Sequence, residues 1–325
     1  MRDEVTAMPT LQVRRKQPEA DGVCSLELVD PHGGALPPFS AGSHIDVHLP
    51  DGLVRQYSLC NPPNETLRYL IAVLHTPDSR GGSRAVHERL HEGDLVRVSE
   101  PRNHFELAPA EHAVLLGGGI GITPILCMAE QLTQAGASFE LHYCSRSPSR
   151  TAFRERIEQS GFADRTAFHF DDGAAGQKLD IARVLAAPGP GKRLYVCGPT
   201  GFMDWVIASA RSSGWDEGHI HREYFAAAPV DHADDGAFDI RLARTGGCFT
   251  VGAGQTVIEV LTVHSHEVET SCEQGVCGTC LTRVLDGDID HRDLFLSDAE
   301  KARNDQFTPC VSRAKAGCRL LVLDL

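Results

Sequence analysis

The pattern of apolar and polar positions changes twice along the chain and divides it into three blocks. In the first block, up to residue 108, short stretches of alternating apolar and polar residues are separated by turn signals such as Glu92-Gly93-Asp94. Alternation with a period of two predicts half-buried β-strands, here over 23–28, 43–49, 68–73 and 94–98. One helix is expected over 83–90, after a glycine pair. So many short, punctuated strands predict a closed antiparallel β-barrel.

The second block, residues 109–228, has continuous apolar runs with helical segments between them. Strands are predicted over 113–116, 138–143, 166–170 and 193–197, and helices over 124–135 and 152–160. Buried strands that alternate with helices are typical of a doubly wound parallel sheet in an α/β domain.

A linker rich in Ala, Pro, Asp and His is expected over 229–236, and a small α+β domain over 237–325. Strands are predicted there over 238–242, 248–251 and 320–325, with a helix over 257–262. Fewer than ninety residues make a small core, so a bound metal group would supply part of its folding energy.

The third block carries the most specific chemical signal of the chain. It contains four cysteines with the spacing C-x4-C-x2-C and a distant fourth, namely Cys272, Cys277, Cys280 and Cys310. This is the plant-type ferredoxin spacing for a [2Fe–2S] cluster. Gly275 and Gly278 would allow the sharp turns that bring three thiolates of one loop to one cluster.

Two other uses of these cysteines fit the sequence less well. Zinc sites usually have two short C-x2–4-C pairs rather than three clustered ligands and one distant ligand. Disulfides are not expected, because the polar segment 1–16 lacks the apolar core of a secretory signal. Eleven cysteines in such a chain favour a reducing compartment, and we predict a cytoplasmic protein.

Composition and charge exclude several classes of function. Hydrophobic residues are 42% of the 325 and charged residues 23%, which is ordinary for a globular protein. The absence of eighteen consecutive apolar residues predicts that no segment spans a membrane. A formal net charge of −13 argues against nucleic acid as a partner but is compatible with docking on a basic protein surface.

Two glycine turns in the second block predict a nicotinamide dinucleotide site. The first follows a strand and opens a helix, and its candidate residues are Gly118, Gly119, Gly121 and Thr123. Glycines let a backbone approach a pyrophosphate, and a helix N-terminus favours negative charge. Thr123 is a candidate N-cap or phosphate contact. The second turn contains Gly198 and Pro199, and both turns should face one crevice at the carboxyl ends of the strands.

The same crevice suggests where the two ends of the dinucleotide lie. Cys197 would sit at a strand tip near the reacting carbon of the nicotinamide, although a buried cysteine is otherwise only a small apolar residue. At the adenine end, Asp171 would favour the ribose hydroxyls of NADH, whereas Ser145 and Arg146 would suit the phosphate of NADPH. The residues alone leave both cofactors open.

A flavin in the first block is indicated by chemistry more than by motif. Nicotinamide delivers two electrons as a hydride and a [2Fe–2S] cluster accepts one, so a mediator such as flavin is required. Alternation places Arg55 and Tyr57 on one face of a strand, where an arginine suits a phosphate and a tyrosine an aromatic ring. Gly81-Gly82-Ser83 opens the short helix and forms a second anion site.

Taken together, these motifs resemble the phthalate dioxygenase reductase family, which includes the reductase component of vanillate demethylase. The resemblance covers nearly the whole chain in the same domain order, and includes the tail Cys310-Val311-Ser312-Arg313-Ala314-Lys315. It implies FMN rather than FAD, NADH as the preferred donor, and contributions to the flavin site of Thr123 and Phe225 from the second domain. The FMN-binding residues that it implies are Arg55, Gln56, Tyr57, Ser58, Ala72, Val73, Leu74, Gly81, Gly82, Ser83, Thr123 and Phe225.

The family resemblance implies an oxygenase reductase that passes electrons from NADH through FMN and the cluster to a separate terminal oxygenase. That oxygenase would be a Rieske-type enzyme acting on an aromatic or related small acid. One alternative is a stand-alone NAD(P)H-dependent flavin and iron–sulfur oxidoreductase with its own small-molecule acceptor. Another is an electron-transfer module that binds only the cluster.

Overall fold

The computed structural model describes residues 8–77, 80–227 and 235–325. The chain forms two compact units, Met1–Glu223 and Tyr224–Leu325. The first unit contains the predicted barrel and the predicted nucleotide domain up to Glu223, and the second contains the four cysteines. In the described part of the chain, no helix is both long and apolar enough to cross a membrane.

The N-terminal part of the first unit is an antiparallel sheet that curls into a half-barrel. Its order is β4-β3-β6-β1-β2-β5, with β7 paired to β3. The elements are β1 (Thr10–Ala20), β2 (Val23–Val29), β3 (Ser43–His48), β4 (Val54–Ser58), β5 (Tyr69–Leu74), α1 (Gly82–Arg89), β6 (Leu95–Val98) and β7 (Arg102–Asn103). Buried aliphatic side chains such as Leu26, Ile45 and Ile71 fill its concave face.

The remainder of the first unit is a five-stranded sheet in which all pairs are parallel, with the order β10-β9-β8-β11-β12. Its elements are β8 (His112–Gly118), α2 (Ile122–Gln134), β9 (Phe139–Ser145), α3 (Arg154–Glu158), β10 (Thr166–Phe170), α4 (Ile181–Val184), β11 (Lys192–Cys197), α5 (Thr200–Ser212) and β12 (Ile220–Glu223). The strand order reverses between β8 and β11, so a crevice forms at their carboxyl ends.

The half-barrel and the parallel sheet share one hydrophobic core. Leu70, Ala72 and Phe105 of the half-barrel pack in the same cluster as Ile125 and Tyr195 of the parallel sheet and its helices. This continuity fixes the two sheets relative to each other, because close-packed interiors tolerate little displacement.

The second unit is built on a mixed five-stranded sheet, β14-β13-β19-β15-β17, with a separate β16-β18 pair. Its elements are β13 (Phe238–Leu242), β14 (Cys248–Val251), α6 (Val257–Val263), β15 (Thr282–Asp286), β16 (Ile289–Asp290), α7 (Asp298–Arg303), β17 (Gln306–Phe307), β18 (Arg313–Ala314) and β19 (Leu320–Leu323). Both helices begin with a capping box, in which Thr256 and Ser297 each accept the N3 amide.

Most predicted elements are confirmed, and three details are wrong. The barrel does not close through a strand ladder, although one backbone hydrogen bond of 2.9 Å joins Cys60 to Leu70 across the gap. Thr123 is not an N-cap, because it is the second residue of α2 and its hydroxyl donates to the Ile120 carbonyl at 3.1 Å. The helix predicted over 152–160 is limited to α3, and Phe153 before it has a left-handed φ of 57°.

The described end of the predicted linker is anchored rather than free. The Asp235 side chain is only 2% exposed, and its carboxylate accepts from the Arg292 guanidinium at 2.5 and 3.1 Å. The Arg313 guanidinium lies 3.3 Å from the same carboxylate and donates to the Gly236 carbonyl at 3.0 Å. These contacts attach the start of the second unit to its own β18.

We expect Asp235→Asn to destabilise the second unit by about 3 kcal/mol, since it leaves two guanidinium groups without their shared carboxylate. Hydrogen exchange of peptides from β13 and β19 measures this effect, with peptides from the first unit as an internal reference. Asp290→Asn is the matched control, because Asp290 also pairs with Arg292 but is 41% exposed. Equal protection in the two variants would contradict the anchoring role.

Candidate functional site

The predicted phosphate end of the flavin site is assembled around the start of α1. Gly81 has a left-handed φ of 86° immediately before the helix. Gly82 lies against Arg55, since a Cβ on Gly82 would come within 2.6 Å of the Arg55 side chain. Arg55 donates to the carbonyls of Val54 at 2.7 Å and Arg80 at 3.0 Å, which hold its guanidinium beside the first turn. A guanidinium next to the backbone N–H groups of a helix N-terminus fits a phosphate.

The other predicted flavin residues of the first unit lie on neighbouring elements. Gln56, Tyr57 and Ser58 follow Arg55 on β4, and Ala72, Val73 and Leu74 are on the adjacent β5. Ser83 is in the first turn of α1, where its hydroxyl accepts from the Thr76 amide at 3.1 Å. Phe225 belongs to the second unit and is 38% exposed, so its contact with flavin stays a prediction.

The two glycine turns meet at the carboxyl ends of β8 and β11, as predicted. A Cβ on Gly121 would overlap the backbone of Cys197 and Gly198, and a Cβ on Gly198 would lie 3.0 Å from Gly118. These glycines are therefore required by close packing of one turn on the other. Gly119 differs, because it has a left-handed φ of 53° and no atom within 4 Å of its Cβ position, so it leaves space for a ligand.

At the tip of β11, the structure shows a carboxylate that the sequence analysis missed. Glu223, the last residue of β12, is the register partner of Cys197. The Ser58 hydroxyl of β4 donates to Glu223 Oε2 at 3.3 Å, so this contact joins the half-barrel to the parallel sheet. The signal that could have indicated Glu223 is its place as a charged residue at the carboxyl end of a parallel strand beside Cys197. It was missed because β12 is short and polar and was not recognised as a strand.

Burial controls the protonation of this group. Part of Glu223 reaches the surface of the crevice, yet protein surrounds its carboxyl group, and this desolvation raises its pKa to about 8, despite the opposing hydrogen bond from Ser58. Burial also raises the pKa of the Cys197 thiol, and the adjacent Glu223 raises it further. At neutral pH the crevice therefore holds a neutral thiol and a carboxylic acid that can donate a proton.

The residues predicted at the adenine end lie at the carboxyl ends of β9 and β10. The Asp171 amide donates to the Ser145 carbonyl at 3.0 Å, so the two loops are adjacent. The Ser145 hydroxyl is buried and hydrogen-bonded to Thr151 at 2.7 Å. Asp171 and Arg146 are exposed. Pro199, the remaining predicted contact, is not at this end but in the second glycine turn, as the residue before α5.

In the second unit the four predicted cluster ligands form two pairs of sulfurs. Cys280 Sγ lies 3.4 Å from Cys310 Sγ, and the Cys272 thiol is hydrogen-bonded to that of Cys277. This contact lowers the pKa of Cys277. All eleven cysteines are free thiols, so none of these four is in a disulfide.

The pairing matches the ligand arrangement of a binuclear cluster. A [2Fe–2S] cluster needs two thiolates on each iron, which is the arrangement of two pairs. The loop reaches it through left-handed turns at Gly275 and Gly278, with φ of 69° and 70°. A Cβ on Gly278 would overlap the Phe295 ring, and one on Gly275 would lie 2.5 Å from Val311.

A half-barrel with a phosphate cradle, a parallel nucleotide-type sheet and a paired-thiolate loop define an iron–sulfur flavoprotein reductase. Comparisons with known proteins agree with this class. Residues 240–315 match the family model of the 2Fe-2S iron-sulfur cluster binding domain. The chain is 58% identical over 309 residues to the vanillate O-demethylase oxidoreductase of Pseudomonas putida, covering 94% of this chain and 96% of the relative.

The chain is also 40% identical to the phthalate dioxygenase reductase of Burkholderia cepacia, covering 97% of each chain. The solved structure of a phthalate dioxygenase reductase, described as modular for electron transfer from pyridine nucleotides to [2Fe-2S], aligns with a TM-score of 0.75 and 40% identity. That alignment covers 98% of both chains. The chain belongs to the phthalate dioxygenase reductase family, and it is an NAD(P)H-dependent flavin and iron–sulfur oxidoreductase. Its cofactors are those predicted, namely FMN, a nicotinamide dinucleotide and a [2Fe–2S] cluster.

We expect Glu223→Gln to remove a pH dependence of stability. The folded pKa of Glu223 is raised from 4.5 to about 8, so its contribution is full below pH 4.5 and is lost as the pH rises through 8. The wild-type Tm should therefore fall relative to that of the variant across pH 4.5–8, by the equivalent of roughly 1–2 kcal/mol, since solvent reaches part of the Glu223 residue and screens the effect. Ser58→Ala should move the midpoint of this decrease in Tm to higher pH, because it removes the hydrogen bond that lowers the pKa of Glu223. Parallel plots of Tm against pH for wild type and Glu223→Gln would contradict the raised pKa of Glu223.

We expect Cys277→Ser to abolish the visible absorbance of the iron–sulfur cluster while leaving FMN reduction by NADH within about twofold of wild type. The reason is that Cys277 lies in the second compact unit and the flavin cradle in the first. Stopped-flow absorbance at the flavin band measures this step. Cys318→Ser serves as the control that should keep the cluster, and loss of flavin reduction in Cys277→Ser would contradict the separation.

Proposed function

We propose that this protein is the reductase component of an O-demethylating oxygenase system for vanillate or a closely related methoxylated aromatic acid. The single observation that carries this proposal is the 58% identity, across 94% of the chain, to the vanillate O-demethylase oxidoreductase of P. putida. Identity to the phthalate relative is much lower, at 40%. The protein partner is a terminal oxygenase, and the chain would present to it an acidic surface, given the net charge of −13.

The residues of the two units divide the task of electron delivery. Arg55 and the Gly81–Ser83 turn would hold the FMN phosphate, and Ser58 and the β5 backbone would contact the ring. Cys272 and Cys277 would bind one iron, and Cys280 and Cys310 the other. When bound, FMN supplies the conversion of a two-electron hydride donor into single electrons for the cluster. The polypeptide contributes mainly by positioning the groups.

Within the crevice, the carboxylic acid of Glu223 would keep a proton at neutral pH and exclude a negative charge from the site. Ser58 would hold its Oε2 in place, and the neutral Cys197 thiol would fill the tip of β11 beside it. A protonated, hydrogen-bonded acid of this kind can donate to a ring nitrogen or supply a proton as charge develops.

The adenine-end geometry supports NADH as the preferred donor. The Ser145 hydroxyl is already engaged by Thr151, which leaves Arg146 as the main candidate ligand for an extra phosphate, whereas the exposed Asp171 can accept from a ribose hydroxyl. We also propose a cytoplasmic location, since eleven free thiols suit a reducing compartment.

Reconstitution tests the proposed partner. We expect the purified protein alone to oxidise NADH slowly, and the addition of a vanillate O-demethylase oxygenase with vanillate to accelerate NADH oxidation at least ~tenfold, because only then do electrons have an acceptor.

The kcat/KM measured with NADH should exceed that measured with NADPH. Asp171→Ala should lower the ratio of these two kcat/KM values. Asp164→Ala, at the opposite end of β10, is the control and should leave the ratio unchanged.

Two results would contradict the proposal at different levels. Acceleration by a phthalate dioxygenase oxygenase but not by the vanillate enzyme would reject the O-demethylase partner and keep the reductase. Rapid stoichiometric turnover of an organic acceptor by the chain alone would reject the reductase role itself.

A further inference from the structure

Exposed apolar side chains border the loop that carries the cluster ligands. Leu281 directly follows the ligand Cys280 and is 37% exposed, and Leu294 is 40% exposed. Single apolar side chains are common on protein surfaces, whereas a contiguous group of them marks a contact surface. Neither leucine has a part in the binding of flavin or dinucleotide, so whether the two belong to one surface decides what they can do.

Backbone contacts join the segments of the two leucines. The Leu294 amide donates to the Gly275 carbonyl at 2.9 Å, and the Leu281 amide donates to the Gly278 carbonyl at 3.0 Å. The ring of Phe295, the residue after Leu294, lies against Gly278, since a Cβ there would overlap it. Leu281, Leu294 and Phe295 therefore all lie beside the ligand loop, and together they are called the cluster patch.

The chain around the cluster patch is negatively charged. Residues 245–282 include four glutamates but no lysine or arginine. Three of these glutamates are exposed and lie within five residues of the ligand Cys272, namely Glu267, Glu269 and Glu273. An apolar centre with an acidic edge fits a partner surface that has an apolar centre and a basic edge.

The cluster patch also lies where electrons must leave the chain. Electron transfer depends on close approach of donor and acceptor, so a protein acceptor has to dock next to the cluster. It cannot dock on the ligands themselves, because three are buried and one is half-buried: Cys277, Cys280 and Cys310, and Cys272. The exposed residues beside the ligand loop are the nearest surface on which a partner can bind.

We propose that the cluster patch, edged by Glu267, Glu269 and Glu273, is the docking surface for the terminal oxygenase. The oxygenase would present an apolar surface edged by lysine or arginine around its own electron-accepting centre. Each docking event oxidises the reduced cluster by one electron and reduces the partner's centre by one, so two events deliver the electrons of one NADH. Because the occupant is the oxygenase, this docking role rests on the proposed reductase function and adds to it the surface of contact.

The rate of cluster oxidation by the partner tests the apolar part of this surface. The protein, loaded with FMN and cluster and reduced anaerobically, is mixed with a vanillate O-demethylase oxygenase or with ferricyanide, and the cluster absorbance is followed by stopped flow. We expect Leu281→Ser and Leu294→Ser each to lower the ratio of the oxygenase rate constant to the ferricyanide rate constant at least ~fivefold. Leu95→Ser, at a 61% exposed position on β6, is the control and should keep the wild-type ratio.

The acidic edge is tested by its dependence on salt. The double variant Glu267→Gln and Glu269→Gln should slow the reaction with the oxygenase at low salt and make its rate constant less sensitive to ionic strength. It also provides a second test if a leucine variant loses its cluster. The matched control removes two exposed carboxylates of α3 by Glu155→Gln and Glu158→Gln, and should keep the wild-type salt dependence.

Three results would overturn the proposed docking surface. They are a wild-type ratio in both leucine variants together with a wild-type salt dependence in the Glu267 and Glu269 variant, an equal effect of the α3 control, and slower cluster reduction by NADH with an unchanged ratio. The last result would show that the patch receives electrons from the flavin instead. The wild-type protein reports on the proposed function separately: if it reduces a phthalate dioxygenase oxygenase but not the vanillate enzyme, the O-demethylase partner is rejected and the same variants are compared with the phthalate enzyme.

Discussion

The structure depends most on the left-handed backbone of one loop. The chain at Gly275 and Gly278 turns where a side chain would collide with Val311 or Phe295, so only glycine fits without displacement of the surrounding unit. Those turns bring Cys272 and Cys277 together and allow Cys280 to meet the distant Cys310. Without these two turns the four thiols could not form two pairs. Electrons that enter the first unit as hydride would then have no one-electron acceptor in the chain.

A second constraint operates where the half-barrel meets the parallel sheet. The shared core sets the two sheets rigidly enough for Ser58 on one to hydrogen-bond Glu223 on the other, and packing around the carboxyl group keeps it protonated near neutral pH. Hydride transfer between two bound ring systems depends on their separation and on the exclusion of stray charge. A neutral acid beside a neutral Cys197 thiol provides such an environment at the tip of β11.

Much of the fold and of the site could be predicted because their signals are local. Cysteine spacing, glycine turns after apolar runs, and period-two alternation each reflect the covalent geometry of a short segment. What was missed depends on tertiary contacts. β1 contains Pro18 at a register shift, and β12 is short and polar, so neither shows a clear alternation of apolar and polar residues. Both are stabilised by pairing with neighbouring strands, β1 with β2 and β12 with β11. Missing β12 also meant missing Glu223. Thr123 was misplaced by two residues because helix boundaries are set by competing hydrogen bonds.

Electrons from a nicotinamide are expected to reach a thiolate-bound iron–sulfur cluster inside this one chain. Electron paramagnetic resonance of the anaerobic, FMN-loaded protein, frozen after addition of NADH, tests it most directly. We expect a rhombic signal of a reduced [2Fe–2S] centre, with about two irons and two sulfides per chain by chemical analysis. Fully metallated protein that contains only zinc and shows no such signal would contradict this route of electron transfer.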